Sequence, residues 1–297
     1  MNGGDAGIVY GIRDAVKGII PDAHVSIFAH HAREAAGYYP DLKLFNMPQN
    51  TWPKNKVLSY GVRKSFSLRS VMQLLTAGEK NFYKEIQGMD ALIYCGGGYI
   101  NNLYATEVLF RIMQNTLATG IPHMAYAHSI GPFYDCSSQN RAAELLSKFK
   151  AITVRDEASY NLLHEMGVHC KQIHFTADAA FAMNVAADSS LFEEEKTEFM
   201  RIQNFKNLNG GKPLLFMSVR AWKFPHNKDS VSLSEQYQSQ LRCFVKRVIA
   251  ESNYSICFVS TCQGRKEYGY DDALFAKELL QTSSSLPQDR ICLWSAF

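Results

Sequence analysis

Short apolar runs alternate with amphipathic stretches along almost the whole chain, and this beat constrains the fold more than any other feature. Apolar runs bounded by turn residues read as strands buried on both faces, and the stretches between them carry apolar residues at helical spacing. Strands are predicted over 25–28, 91–95, 123–128, 151–155, 173–177, 213–220, 255–262 and 291–294. Helices are predicted where Ile8, Ile12, Val16 and Ile19, and later Val108, Ile112 and Leu117, recur on one face, and over 140–149, 157–166, 234–250 and 271–281. Strand and helix in this order make the βαβ unit of a parallel sheet covered on both faces, so the predicted fold class is α/β with two Rossmann-like domains.

The beat stops between 186 and 212, where Glu193, Glu194 and Glu195 lead into Asn207, Asn209, Gly210 and Gly211, and then restarts. The expected organisation is an N-terminal domain over 1–186, a linker over 187–211 and a C-terminal domain over 212–297. At 297 residues and 46% apolar content, each domain has material for its own core. Two doubly wound domains in sequence would form a cleft at the carboxyl ends of their strands, where open α/β sheets bind ligands. Both ends read as cut: the strand that should feed the first glycine turn is missing, and the C-terminal domain shows only three strands.

Composition removes several function classes. The formal charge is +3 at pH 7 and the basic residues are scattered among acidic ones, so nucleic acid is not an expected partner. The longest apolar runs, near Leu214 to Val219 and Ile256 to Val259, fall far short of a bilayer span. Met1 leads directly into Asn2, Gly3, Gly4 and Asp5 without a secretory leader, which makes the cytoplasm the expected compartment. The seven cysteines include no CxxC pair, and the nine histidines show no metal-ligand spacing, so neither metal nor cofactor is expected. Cys95, Cys257 and Cys292 sit in apolar runs, where a reduced thiol acts as a small hydrophobe.

The candidate functional residues stand at strand ends. Asn2, Gly3, Gly4 and Asp5 precede the first helix, where free amides attract an anion or sugar hydroxyl, although Asp5 also suits an N-cap. Gly96, Gly97 and Gly98 follow a strand and let backbone approach a ligand, with Tyr99, Asn101 and Asn102 as neighbouring donors and acceptors; a polar turn would use the same residues. This is neither a dinucleotide fingerprint nor a P-loop, since the GxGxxG spacing and the lysine are absent. His128 ends the next strand, ahead of Ser129, Ile130, Gly131, Pro132 and Phe133, and is the first candidate acid or base, or else a satisfied core histidine. Arg155 suits a carboxylate or phosphate, or an internal pair with Asp156 or Glu157. Arg220 repeats that position in the second domain and would face the same cleft; Asp178 would hold one of these arginines or end its own strand. Beyond Ser260, Thr261, Cys262, Gln263, Gly264 and Tyr268, the pair Asp271 and Asp272 reads first as helix capping.

Taken together, Asn2-x-Gly4-Asp5, Gly96-Gly97-Gly98, Ile130-Gly131-Pro132-Phe133, Thr153-Val154-Arg155-Asp156-Glu157-x-Ser159 and Ser218-Val219-Arg220 resemble the polysaccharide pyruvyl transferase family in order and spacing. The resemblance implies a fold like the two-domain B-type glycosyltransferases, with phosphoenolpyruvate as donor substrate and a glycan or lipid-linked sugar as acceptor. It implies catalytic roles for His128 and Asp5, and substrate binding by Gly4, Gly97, Gly98, Asn101, Arg155 and Arg220. A lipid-linked acceptor would bring the protein to a membrane surface peripherally. The chain lacks the family's first strand and an arginine–leucine–histidine segment near the C-terminus. A nucleotide-sugar glycosyltransferase of the same fold is the alternative, and an inactive truncated fragment a further one.

Overall fold

The computed structural model describes residues 3–47, 77–103, 106–184, 193–222, 224, 227–262, 271–281 and 288–294. Asn2, Gln263, Gly264 and Tyr268, named above, lie outside them. The chain divides into two compact units, one of residues 6–184 and one of residues 1–5 with 185–297. Helix α1 (Gly3–Ile19) runs from the second into the first.

In the larger unit, β1 (Ser26–Ala29) and β2 (Lys43–Asn46) pair in parallel, with the short helix α2 (Ala32–Ala35) between them. Helix α3 (Ala77–Ile86) leads to the main sheet, built from β3 (Leu92–Tyr94), β4 (Gly97–Ile100), β5 (His123–Ile130), β6 (Ala151–Val154) and β7 (Ile173–Phe175). Its order is β3-β5-β6-β7, all parallel, and β4 resumes alongside β5 after a break at Cys95 and Gly96. The crossovers are α4 (Thr106–Leu117), α5 (Cys136–Leu146) and α6 (Glu157–Glu165). Asp135 and Asp156 cap α5 and α6 by accepting the amides of Ser138 at 2.7 Å and Ser159 at 2.8 Å.

Helix periodicity places Phe110, Met113, Ala142, Leu145, Leu146 and Leu163 against Ile152 and Val154 of the sheet in one continuous core. Full burial of each large apolar side chain contributes roughly 1.5–3 kcal/mol. On α1, Ile8 and Ile12 pack with Ala127 and Ala179 in a separate cluster.

The smaller unit is a three-stranded parallel sheet of order β10-β9-β8, from β8 (Leu214–Met217), β9 (Ser255–Val259) and β10 (Ile291–Trp294). Alternation on β9 sorts its residues by face. Ile256 and Phe258 meet Val245 and Ile249 of α8 (Ser230–Glu251) and Phe275, Ala276 and Leu279 of α9 (Asp272–Gln281). Cys257 joins Cys292 and Ile202 of α7 (Glu193–Leu208) on the other. Helix α7 fills much of the stretch read above as linker, because Ile202 is 2% exposed and Phe205 packs beside it.

Helix α1 begins at Gly3, so Gly3, Gly4 and Asp5 form its first turn rather than a glycine turn ahead of it. The observed class is α/β with parallel sheets, as the apolar beat predicts. No helix among the described residues is long and apolar enough to cross a membrane.

Candidate functional site

The carboxyl end of the main sheet is shaped by an irregularity in β5. Ala127 takes φ +51°, a left-handed conformation that disfavours any side chain, and the register of β5 shifts against β6 between Ala125 and His128. Its amide is met by the hydroxyl of Thr153 at 2.7 Å. The bulge resets strand alternation, so Ala127 and His128 are both buried in succession, at 1% and 2% exposure. Room for the bulge comes from Gly96, where a Cβ would stand 2.8 Å from the carbonyl oxygens of Tyr126 and Ala127. Gly97 adopts φ +124°, and a Cβ there would meet the Tyr99 ring at 2.6 Å.

His128 is enclosed between strands. Its Nδ1 lies 2.9 Å from the Ser129 carbonyl, which only accepts, so Nδ1 carries the proton and the neutral ring keeps its lone pair on Nε2. Burial, helped by the Arg155 charge and opposed by the Ser129 carbonyl, pulls the imidazole down to about 4. It is therefore neutral at pH 7. The edge of the Tyr99 ring approaches it, with centroids 6.3 Å apart.

Ser129 links this histidine to a charged network. Its hydroxyl accepts from Arg155 Nε at 2.8 Å and donates to Asp156 Oδ2 at 2.6 Å. Arg155 Nη1 pairs with the Asp178 carboxylate, whose other oxygen accepts the Ala180 amide at 2.9 Å. Burial pushes Asp156 up, but hydrogen bonds from Ser129 and Ser159 outweigh it and hold the carboxyl below the ordinary range. The Ser159 hydroxyl continues the chain to the Ile130 amide at 2.8 Å. Arg155 thus pairs with Asp178 rather than with Asp156 or Glu157, and Asp178 both holds the arginine and caps the turn at Ala179–Ala182.

Asn101 is 2% exposed and turned into its own loop: Nδ2 donates to the Gly98 carbonyl at 2.5 Å and Oδ1 accepts the Leu103 amide at 2.7 Å. Asn102 Nδ2 donates to Asp135 at 2.8 Å. The structure therefore gathers Gly97, Gly98, Asn101, His128 and Arg155 at the carboxyl end of the main sheet.

Gly4, Asp5 and Arg220 belong to the smaller unit. There the Gly3 amide donates to the Thr261 carbonyl at 2.9 Å, past the end of β9. Burial and then Asp272 push the Cys262 thiol up, Arg220 pulls it down and Asp5 adds to the upward push. Asp271 caps α9 through the Leu274 amide at 3.0 Å. Asp272, 1% exposed, reaches back from α9 so that Oδ2 accepts from the Thr261 amide and hydroxyl and the Cys262 amide at 2.8–3.2 Å.

The roles of Ser129 and Thr153 go beyond the sequence reading, and Asp156, a candidate partner of Arg155 in the sequence, instead accepts from Ser129 and Ser159. The signal for Ser129 was its place directly after His128. Among the described residues, no cluster of three or more metal-ligating side chains occurs.

A family model described as polysaccharide pyruvyl transferase matches residues 2–291. The amylovoran biosynthesis protein AmsJ of Erwinia amylovora is 21% identical over 197 residues, covering 66% of this chain and 45% of AmsJ. The chain thus spans under half the length of that curated relative. A crystal structure of an uncharacterized Klebsiella pneumoniae protein aligns over 99% of this chain and 89% of its own, at 13% identity and a TM-score of 0.35. With a family match running through nearly every element described above, the chain belongs to the polysaccharide pyruvyl transferase family.

Proposed function

We propose that this protein moves a pyruvyl group from phosphoenolpyruvate onto two hydroxyls of a sugar, forming a cyclic pyruvate ketal on a surface polysaccharide or its lipid-linked precursor. The observation that carries the reading is a neutral, enclosed imidazole at the rim of a parallel sheet, joined through Ser129 to the Arg155 guanidinium. Ketal formation needs a base for the attacking hydroxyl, an acid for C3 of the enol phosphate and cations for a multiply negative donor. His128 relays the hydroxyl proton through Nε2 to C3, so that C3 is protonated as the sugar oxygen bonds to C2. A second hydroxyl then forms its bond to C2 as the C2–O bond to phosphate breaks, and its proton leaves with the phosphate.

In this reading Arg155 meets the donor's carboxylate or phosphate, since Nη2 makes no hydrogen bond among the described residues while Nε and Nη1 are fixed. Arg220 and Asp5 take the roles that the resemblance implies, the first as a cation and the second as a proton acceptor. Gly4, Gly97 and Gly98 supply close backbone approach, and Asn101 holds its loop in shape. The proposed fold class is like that of the B-type glycosyltransferases, and the reaction takes place in the cytoplasm without a cofactor. A lipid-linked acceptor makes membrane contact peripheral. Nucleotide-sugar transfer would call for a carboxylate open to a ribose, whereas Asp271 caps a helix and Asp272 is buried against Thr261 and Cys262.

The test is phosphate release from phosphoenolpyruvate in the presence of candidate glycans, with ketal detected by NMR, for the chain and for His128→Ala. Full ketal formation by the alanine variant would overturn the role of His128. Thermal stabilisation by UDP and none by phosphoenolpyruvate would overturn the donor.

A further inference from the structure

Strands β9 and β10 run parallel and in register, and Cys292 stands directly opposite Cys257. Both thiols point to the α7 face of the sheet, into the cluster with Ile202, at 0% and 8% exposure. Neighbouring strands lie about 4.8 Å apart, inside the span of roughly 4.4–6.8 Å that a disulfide bridges between Cα atoms. The Cys257 thiol donates to the Phe258 carbonyl at 3.9 Å, and each of the two thiols perturbs the titration of the other. Among the described residues no other two cysteines share a register position.

The two sulfurs differ in surroundings. Cys292 lines a hollow of about 470 Å³ whose wall includes Arg201, Phe205, Asn209 and Asp289, so a small solute can reach it. Cys257 lies deeper, at 0% exposure, and does not line that hollow. The neighbouring Cys257 thiol holds the Cys292 thiol below its ordinary value against the opposing effect of burial, and the Arg201 charge acts in the same direction.

We propose that Cys292 and Cys257 form a hydroperoxide-sensitive thiol pair, with Cys292 the sulfur that is attacked and Cys257 the one that closes the bridge. The Cys292 thiolate attacks one oxygen of the hydroperoxide and the O–O bond breaks, leaving an alcohol, or water from hydrogen peroxide, and a sulfenic acid. Cys257 then attacks the sulfenic sulfur, the S–O bond breaks, and the hydroxyl leaves as water with the Cys257 proton. Two thiols and one hydroperoxide give one disulfide, one alcohol and one water. The pair lies outside the groups assigned to pyruvyl transfer, and its test does not depend on that activity.

The reduced full chain, treated with hydrogen peroxide under native conditions and then alkylated in denaturant, is analysed by intact mass and peptide mapping. The expected product is about 2 Da lighter before alkylation. It takes up alkylating agent at five of the chain's seven cysteines, seven less the two bridged, and contains a crosslinked peptide joining Cys257 to Cys292. Dimedone labels Cys292 in the Cys257→Ser variant and leaves Cys257 unlabelled in Cys292→Ser. Alkylation of all seven cysteines, a bridge between other cysteines, or sulfinic acid at Cys292 beside a free Cys257 would overturn the proposal. The mapping on the unsubstituted chain decides the matter even where a serine variant fails to fold.

Discussion

The guanidinium of Arg155 and the carboxylate of Asp178 form an ion pair that ties the end of β6 to the turn beyond β7. Side chains 26% and 28% exposed sit in partly screened surroundings, so the pair itself adds at most about 1 kcal/mol to stability. Its larger effect is on orientation, because Asp178 and Ser129 together fix two of the three guanidinium nitrogens.

Replacing Asp178 with alanine removes that hold and the cap on Ala180. Urea unfolding is expected to show a loss of about 1–2 kcal/mol. If Arg155 meets the donor, KM for phosphoenolpyruvate rises about tenfold, equal to roughly 1.4 kcal/mol, with kcat changing less. An unchanged KM would remove Arg155 from donor binding.

His128 gives a pH signature with a definite sign. Its value falls from 6.5 in the unfolded chain to about 4 in the folded one, so the unfolded state takes up a proton first as pH drops. Stability is flat with respect to this group above 6.5, declines between 6.5 and 4 by roughly 3 kcal/mol, and levels off below. Denaturation of the chain and of His128→Gln across that window measures the difference. Activity that depends on a neutral ring persists to below pH 6 and is lost toward 4.

The bulge predicts two glycine–alanine swaps of unlike outcome. Gly96→Ala drives a methyl into two backbone oxygens that have no rotamer to retreat into, and should cost about 2–4 kcal/mol in chemical denaturation. Ala127→Gly relieves about 1–2 kcal/mol of left-handed strain. It loses about 0.8 kcal/mol of buried methyl and 0.5–1 of chain entropy, so it should fall within about 1 kcal/mol of zero.

Helix α7 offers a test of the smaller unit. Ile202→Ala empties a site beside Cys257 and Cys292 and should cost about 2–4 kcal/mol by urea or thermal unfolding. A loss under 0.5 kcal/mol would mean that the helix contributes no core.

Much of the fold was legible because period-2 and period-3.6 patterns are local. The predicted strand over 291–294 matches β10, and seven others overlap observed strands. Strand β4 was read as a glycine turn, since Gly97 and Gly98 carry no side chain to signal pairing with β5. In α7 the apolar positions Phe199, Ile202 and Phe205 are set among Glu, Lys and Asn, so its one deeply buried residue gave too weak a stripe. His128 and Arg155 were legible as strand-end residues. The bulge at Ala127 was not, because it depends on a hydroxyl from Thr153, 26 residues away. The same holds for Ser129, whose two side-chain bonds reach partners on other elements.

The hydrogen-bonded chain from Asp178 through Arg155, Ser129, Asp156 and Ser159 to Ile130 has a genetic consequence. Its members cannot be scored one at a time: once a first lesion has slackened the series, a second finds little left to undo, and paired lesions should fall well short of the sum of single ones. Natural variation here is accordingly expected to travel in correlated sets, with a change at one link tolerated only beside a matching change at the next.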